Sequence, residues 1–134
     1  MKKLIFAAIM IAALILSGCG DKCPENIYST TYEIGQKAVK CYEDYQNGKM
    51  LNAEFRDQID DYYDALNALE FNETIPKETE YLDSNVFLKG KLLGISVMSI
   101  NEKENETDII KFINDVRNFL ETGIGYPQKD EVAQ

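Results

Sequence analysis

Apolar residues recur along most of the chain with a helical period. In residues 53–70 they follow one another at spacings of four, three, four and three, which places on one helix face Phe55, Ile59, Tyr62, Leu66 and Leu69. Residues 30–46 carry a similar stripe, formed by Ile34, Ala38, Cys41 and Tyr45. Asn47-Gly48 then supplies a helix stop. The short loop between these segments predicts an antiparallel αα-hairpin.

A further helix is predicted near the end of the chain. The pattern breaks after Leu69 into a linker of about a dozen residues, which leads to the segment 84–101 discussed below. The last clear helix is 106–121, with the inward residues Ile109, Ile110, Ile113, Val116 and Leu120. Gly123 is the expected stop of this helix. The candidate N-terminal signals are a capping box of Thr30 with Glu33 in the first helix, Asn52 in the second, and Asn105 or Thr107 in the last.

Residues 84–101 form the ambiguous segment. Helical spacing relates Val86, Gly90, Leu93, Val97 and Ile100, but glycine and β-branched residues would also suit a strand. No second strand-like run exists to pair with such a strand, so we predict a helix, in which Gly90 and Gly94 would allow close approach of a neighbouring backbone. The predicted fold is all-α: a bundle of three to four helices over residues 30–121, built on the N-terminal hairpin and followed by a frayed tail at 122–134.

The start of the chain has a different pattern. Lys2 and Lys3 precede an unbroken apolar run from Leu4 to Leu16, and small residues follow it. This layout is typical of a secretory signal peptide. As a helix the run would rise only about 20 Å, short of the roughly 30 Å hydrocarbon core, so a permanent transmembrane helix is the weaker interpretation.

The segment Leu16-Ser17-Gly18-Cys19 resembles the lipobox of bacterial lipoproteins. The resemblance covers residues 1–19 only. It implies cleavage between Gly18 and Cys19 and a diacylglyceryl thioether on Cys19, whose two acyl chains would hold the mature protein at the cell membrane. Residues 1–18 would be the signal peptide and 19–29 a lipidated tether. Gly20 stands where the family's inner-membrane retention signal has Asp, so an outer-membrane location stays open for a source with two membranes.

The chain is strongly acidic, with 14 Lys+Arg against 23 Asp+Glu. Without Lys2 and Lys3 the balance is 12 against 23, a formal charge of −11. This argues against binding nucleic acid or lying on anionic lipid, because both attract clustered cations. One acidic row follows helical spacing: Asp57, Asp60, Asp61 and Asp64. It is a weak candidate cation face, because calcium sites wrap the ion with six to eight oxygens and a straight helix face does not. A solvated acidic face is the simpler interpretation.

Few residues offer catalytic or metal chemistry. The chain has no histidine, which removes Ser-His-Asp and Cys-His systems and most catalytic zinc sites. With Cys19 lipidated, Cys23 and Cys41 remain in a compartment that permits disulfides. Because the lead from Cys23 to a helix start at Thr30 could fold back along the helix, we predict a Cys23–Cys41 disulfide, with two thiols as the alternative. We predict no metal and no cofactor.

These observations favour a binding protein over an enzyme. The leading hypothesis is a lipid-anchored extracytoplasmic lipoprotein that acts as a helical interaction module for a protein or envelope component. One alternative is a phage- or plasmid-type exclusion lipoprotein, or an inhibitor of a basic lytic enzyme, which the acidic chain would complement. A carboxylate-dependent hydrolase is the least supported. The first hairpin concentrates tyrosines, which are expected in packing or, if exposed together, in a binding patch: Tyr28, Tyr32, Tyr42, Tyr45, Tyr62 and Tyr63.

Overall fold

A computed structural model describes residues 23–76 and 79–125. Its elements are α1 (Ser29–Gln46), α2 (Asn52–Phe71), α3 (Thr79–Met98), a 3-10 turn (Ser99–Asn101) and α4 (Glu102–Thr122). The described ranges contain helices and no strand, so the predicted all-α bundle is confirmed. The expected signal peptide, the lipidation site Cys19 and the tail from residue 126 onward lie outside the described residues.

The four helices enclose one core. Helix α2 packs against α1 and α3, α3 packs against α4, and α4 returns to α1, which closes the bundle. Short connections make sequential helices antiparallel neighbours. Each helix contributes fully buried side chains, which include Ala38, Phe55, Ile59, Leu66, Leu88, Leu92, Ile95, Ile113, Val116 and Phe119. Burying one large apolar side chain stabilises the fold by about 1.5–3 kcal/mol, so this core supplies the main driving force for folding.

The starts of α1, α2 and α4 differ from the predictions, because none has the side-chain cap expected from sequence. Helix α1 begins at Ser29 after Tyr28, without a side-chain cap, so the Thr30–Glu33 capping box is not formed. Asn52 is the first residue of α2, and its side chain instead accepts a hydrogen bond from Arg56 Nε at 3.0 Å. Helix α4 starts at Glu102, earlier than expected, because the 3-10 turn leads directly into it. The stop at Gly123 is confirmed: its φ of 75° is left-handed and its amide donates to Phe119 O at 2.7 Å.

The segment 84–101 is helical as predicted, but the stripe named from its sequence faces outward. Helix α3 starts at Thr79, so the connection after Phe71 is shorter than expected. The inward side carries Leu88, Leu92 and Ile95, all fully buried. The predicted stripe is exposed, with Val97 at 59%. Since α3 has apolar residues on both sides, helical spacing alone did not identify the core side.

Two further expectations about packing are corrected. Ile110, expected inward, is exposed. It lies two helical turns before Arg117, which approaches Glu43 of α1 at 3.8 Å, and therefore on the α1 side of α4. Gly94 is approached by the ring of Phe112 and not by a backbone, while Gly90 faces open space.

Residues 23–28, assigned from sequence to a tether, form a turn that is part of the bundle. The Ile27 amide donates to Pro24 O at 3.1 Å, and the Ile27 side chain is buried in the core. Asn26 Nδ2 donates to Gly123 O at 2.7 Å, and Ser84 Oγ donates to Asn26 O at 2.9 Å. The lead is therefore held at the end of the bundle where α1 and α3 begin and α4 ends.

Candidate interaction surface

An unbroken row of apolar residues lies on the side of α3 that points away from the core. We call it the outer face of α3, and define it by Leu82, Val86, Gly90, Leu93, Val97 and, in the 3-10 turn, Ile100. Its large side chains are exposed by 37% at Leu82 rising to 64% at Ile100. At 1.5 Å per residue the row is about 27 Å long. Single exposed apolar residues are ordinary, but a contiguous row is typical of an interaction surface.

The outer face distinguishes α3 from its neighbours. The outward residues of α2 are mainly acidic and polar, as expected for a helix with one face in a core. Helix α3 is apolar on its core side and on its outer side, a pattern normally found in helices buried all round. Within residues 23–76 and 79–125, nothing covers the outer side.

The two lysines of α3 turn away from the outer face. Lys89 Nζ lies 2.9 Å from Glu70 Oε2 and 3.2 Å from Asn67 Oδ1, both on α2. Lys91 Nζ lies 2.8 Å from Asp115 Oδ2 on α4, and 4.2 Å from the centroid of the Phe112 ring. These ion pairs tie α3 to both neighbours. Because both ammonium groups are drawn to the neighbouring helices, neither lysine places its charge on the outer face.

The α2 edge of the outer face is acidic. Ser96 Oγ on α3 donates to Asp60 Oδ1 at 2.5 Å, which places Asp60 beside the row. Asp57 and Asp64 lie three residues before and four after Asp60, so they occupy the same side of α2, with Arg56 at the Ile100 end. Asp60 of the acidic row predicted from sequence thus borders the α3 face, with Asp57 and Asp64 on the adjoining turns of α2, a juxtaposition that helical spacing within α2 could not show.

The α4 edge is acidic as well. Asp115 is placed at this edge by its pairing with Lys91. Asp108 lies two helical turns earlier on the same side, and Lys111 is the cation between them. An apolar row therefore runs between two rims in which carboxylates outnumber cations.

The acidic residues do not converge on a cation site. The side chains of Asp57, Asp60, Asp61 and Asp64 are all exposed along a straight helix. Over the described ranges, no group of three or more Cys, Asp or Glu side chains is arranged to hold a metal ion. The candidate cation face is accordingly a solvated rim in this structure.

The thiols occupy separate places, and no Cys23–Cys41 disulfide joins them, contrary to prediction. Cys41 is buried and lies within 3.3 Å of Gln58 Oε1, and burial followed by the nearby Asp44 raises the pKa of its thiol to about 12. Cys23 Sγ donates to Ile27 O at 3.3 Å. The lead stays at the start of α1, and Cys41 lies twelve residues beyond Ser29, about 18 Å along the helix. The fold-back required for the bridge is replaced by the turn at Pro24–Ile27.

The tyrosines of the first hairpin serve packing. Tyr32 and Tyr42 are buried and the other four are half-buried, so they form no exposed patch. Tyr45 stacks on Phe55 with 4.8 Å between ring centroids. Burial, followed by the charges of nearby groups, raises the pKa of Tyr62 to about 12.

Two shallow clefts lie elsewhere on the molecule. One, of about 460 Å³, is lined by residues that include Asn26, Asp83 and Phe87 at the end of the bundle where α3 begins. The other, of about 550 Å³, lies between α1 and α4 beside Arg117. Neither of these clefts contains a residue of the acidic row on α2.

A buried polar contact was missed from sequence. Asn85 is fully buried on α3; its Nδ2 donates to Leu66 O at 3.0 Å and also to Glu70 Oε2, and its Oδ1 accepts from Thr31 Oγ1 at 3.0 Å. These bonds join α1, α2 and α3. The only sequence signal was an asparagine at the start of an apolar helix. All buried side-chain nitrogens and oxygens of the described residues have hydrogen-bond partners. Asn85 therefore has its partners within the bundle, and we interpret the contact as structural.

None of the helices in the described part of the chain is long and apolar enough to cross a membrane. Comparisons with protein families, with curated proteins and with solved structures find no match to this chain.

Proposed function

We propose that this protein is a lipid-anchored extracytoplasmic lipoprotein that binds another protein without catalysing a reaction, and that the outer face of α3 is its binding surface. The observation that carries the proposal is the exposed apolar row between acidic rims. The lipobox resemblance at Leu16–Cys19 supports the anchor and the location.

The shape of the surface favours a macromolecular partner. Small-molecule sites are concave and enclose most of their ligand, whereas one side of a helix is convex. Covering side chains that are about half exposed gains about 1 kcal/mol each, or roughly 5 kcal/mol over the row, before the cost of association is subtracted. A specific complex therefore needs contacts from the rims as well as from the row.

The anchor is tested by metabolic labelling with a palmitate analogue in a bacterial host that expresses the chain with its own N-terminus. We expect the wild-type chain to take up the label and the Cys19→Ser variant to lose it. A labelled Cys19→Ser chain, or an unlabelled wild-type chain, would contradict the lipoprotein assignment.

The binding surface is tested by site-specific photo-cross-linking in the same cells. A photoreactive residue at Val97 should give a discrete adduct with one protein, which is then purified and shown to bind the wild-type chain directly. The matched control is the same residue at Ile110, which is also apolar, helical and exposed but lies on the α1 side of α4. Equal adducts at both positions, or adducts with lipid alone at Val97, would refute the proposal.

A further inference from the structure

The chemistry around the outer face of α3 identifies the kind of partner. We propose that the face receives an amphipathic helix of another protein, whose apolar stripe is flanked by Lys or Arg. This inference rests on the proposed function and adds the chemical class of the occupant.

The apolar row has the spacing of a helix-packing seam. Val86, Gly90, Leu93, Val97 and Ile100 follow one another at alternating intervals of four and three residues. That alternation aligns apolar side chains along the seam between two helices that pack nearly parallel or antiparallel. A Cβ added to Gly90 would meet nothing within 4 Å, so the middle of the row is a dip that a large side chain of the partner helix can fill. A partner helix packed against this face would place its own apolar anchors at successive turns.

The rims provide the charge complementarity. Of the carboxylates that border the row, Asp115 is paired with Lys91. Asp57, Asp60 and Asp64 take part in none of the ion pairs formed among the described residues. They remain available to cations that flank the stripe of a partner helix, and opposite charges at an interface speed encounter and fix orientation.

The same charges disfavour the other occupants of an apolar face. A second copy packed by this face would bring acidic rims towards acidic rims, in a chain of formal charge −9. An anionic lipid surface would be repelled for the same reason. Dimerisation and lipid binding are therefore results that would overturn the inference.

The test uses the mature lipidated chain in phosphatidylcholine nanodiscs and two fluorescent helical peptides. Both peptides carry the same leucine stripe, as long as the outer face, and differ only in having Lys or Glu beside it. We expect the Lys-flanked peptide to bind at least about tenfold more tightly by fluorescence anisotropy, and this preference to shrink as salt is raised. Val97→Gln should weaken its binding by about tenfold, while Ile110→Gln should leave it unchanged. The double variant Asp60→Lys/Asp64→Lys should reduce or reverse the preference.

Circular dichroism confirms that each variant is folded before binding is compared. Equal binding of the two peptides, still lost in Val97→Gln, would overturn the charge inference and leave the proposed function standing. Binding that Val97→Gln does not alter would place the peptide elsewhere and overturn the inference. A dimer that Val97→Gln dissociates would assign the face to a second copy instead. Failure of the proposed function is read separately, from the cross-linking at Val97.

Discussion

Replacement of Gly90 and Gly94 by alanine should affect stability differently, although both glycines lie in the same helix. At Gly90 an added Cβ has no neighbour within 4 Å. Alanine there gains only helix propensity, and Gly90→Ala should stabilise the fold by about 0.8–1 kcal/mol. At Gly94 the added Cβ would lie 2.4 Å from Phe112 Cε2 and 3.0 Å from Phe112 Cδ2, so the ring must move.

The cost of that movement follows from what holds the ring. The Lys91 ammonium lies 4.2 Å from the Phe112 centroid and is itself paired with Asp115 at 2.8 Å. Overpacking of this kind costs about 1–3 kcal/mol, which cancels or exceeds the propensity gain. We therefore expect Gly94→Ala to be less stable than Gly90→Ala by about 1–3 kcal/mol.

Urea unfolding followed by circular dichroism measures the difference. The midpoints should separate while the slope with urea stays constant, because neither change alters the surface exposed on unfolding. Adding Phe112→Leu to Gly94→Ala makes room for the new methyl group and should restore part of the loss. Equal stability of Gly90→Ala and Gly94→Ala would refute the reasoning, since it would mean that the ring moves aside at no cost.

Two further predictions concern buried groups. Asn85→Leu should destabilise the fold by about 1–3 kcal/mol in urea unfolding, because it leaves Leu66 O and Thr31 Oγ1 without their hydrogen-bond partner. The double variant Asn85→Leu/Thr31→Val should recover part of this loss. If the free-energy changes of the two single variants simply added up in the double variant, the contact between Asn85 and Thr31 would be contradicted. Because folding raises the pKa of the Cys41 thiol from its ordinary value of 9.0 to about 12, the contribution of this thiol to stability is complete below pH 9 and is lost as pH rises towards 12. From pH 8 to pH 10 the wild-type free energy of unfolding should therefore fall by about 1 kcal/mol more than that of Cys41→Ala, and parallel pH profiles would contradict the burial of this thiol.

The buried face could be predicted from sequence for a helix with one apolar side, such as α2, but not for α3, which is apolar on two sides. In α2 a single apolar stripe, from Phe55 to Leu66, matches the buried face, because the rest of that helix is polar. In α3 the outer stripe fits the helical period as well as the inner stripe through Leu88 and Ile95 does. Only the positions of α2 and α4 decide between them, and these depend on contacts distant in sequence. The acidic row was visible in the sequence, but its place beside the α3 face was not.

The outer face of α3 is not explained by the stability of the bundle. Exposed Val or Leu side chains change the free energy of unfolding by about 0.5 kcal/mol or less when replaced by polar residues, so folding alone does not require Leu93 or Val97 to be apolar. The contact proposed for this face would require it. The turn at residues 23–28 orients that contact relative to the membrane, because Ser84 near the start of α3 is hydrogen-bonded to Asn26 of the turn. In a chain anchored at Cys19, the four residues to Cys23 reach at most about 14 Å, so the Leu82 end of the face would stand nearer the membrane than the Ile100 end. A partner helix that lies along the face should accordingly have one end near Leu82 and the membrane and the other end near Ile100. Cross-links from Leu82 and Ile100 should therefore map to opposite ends of one helical segment of the partner.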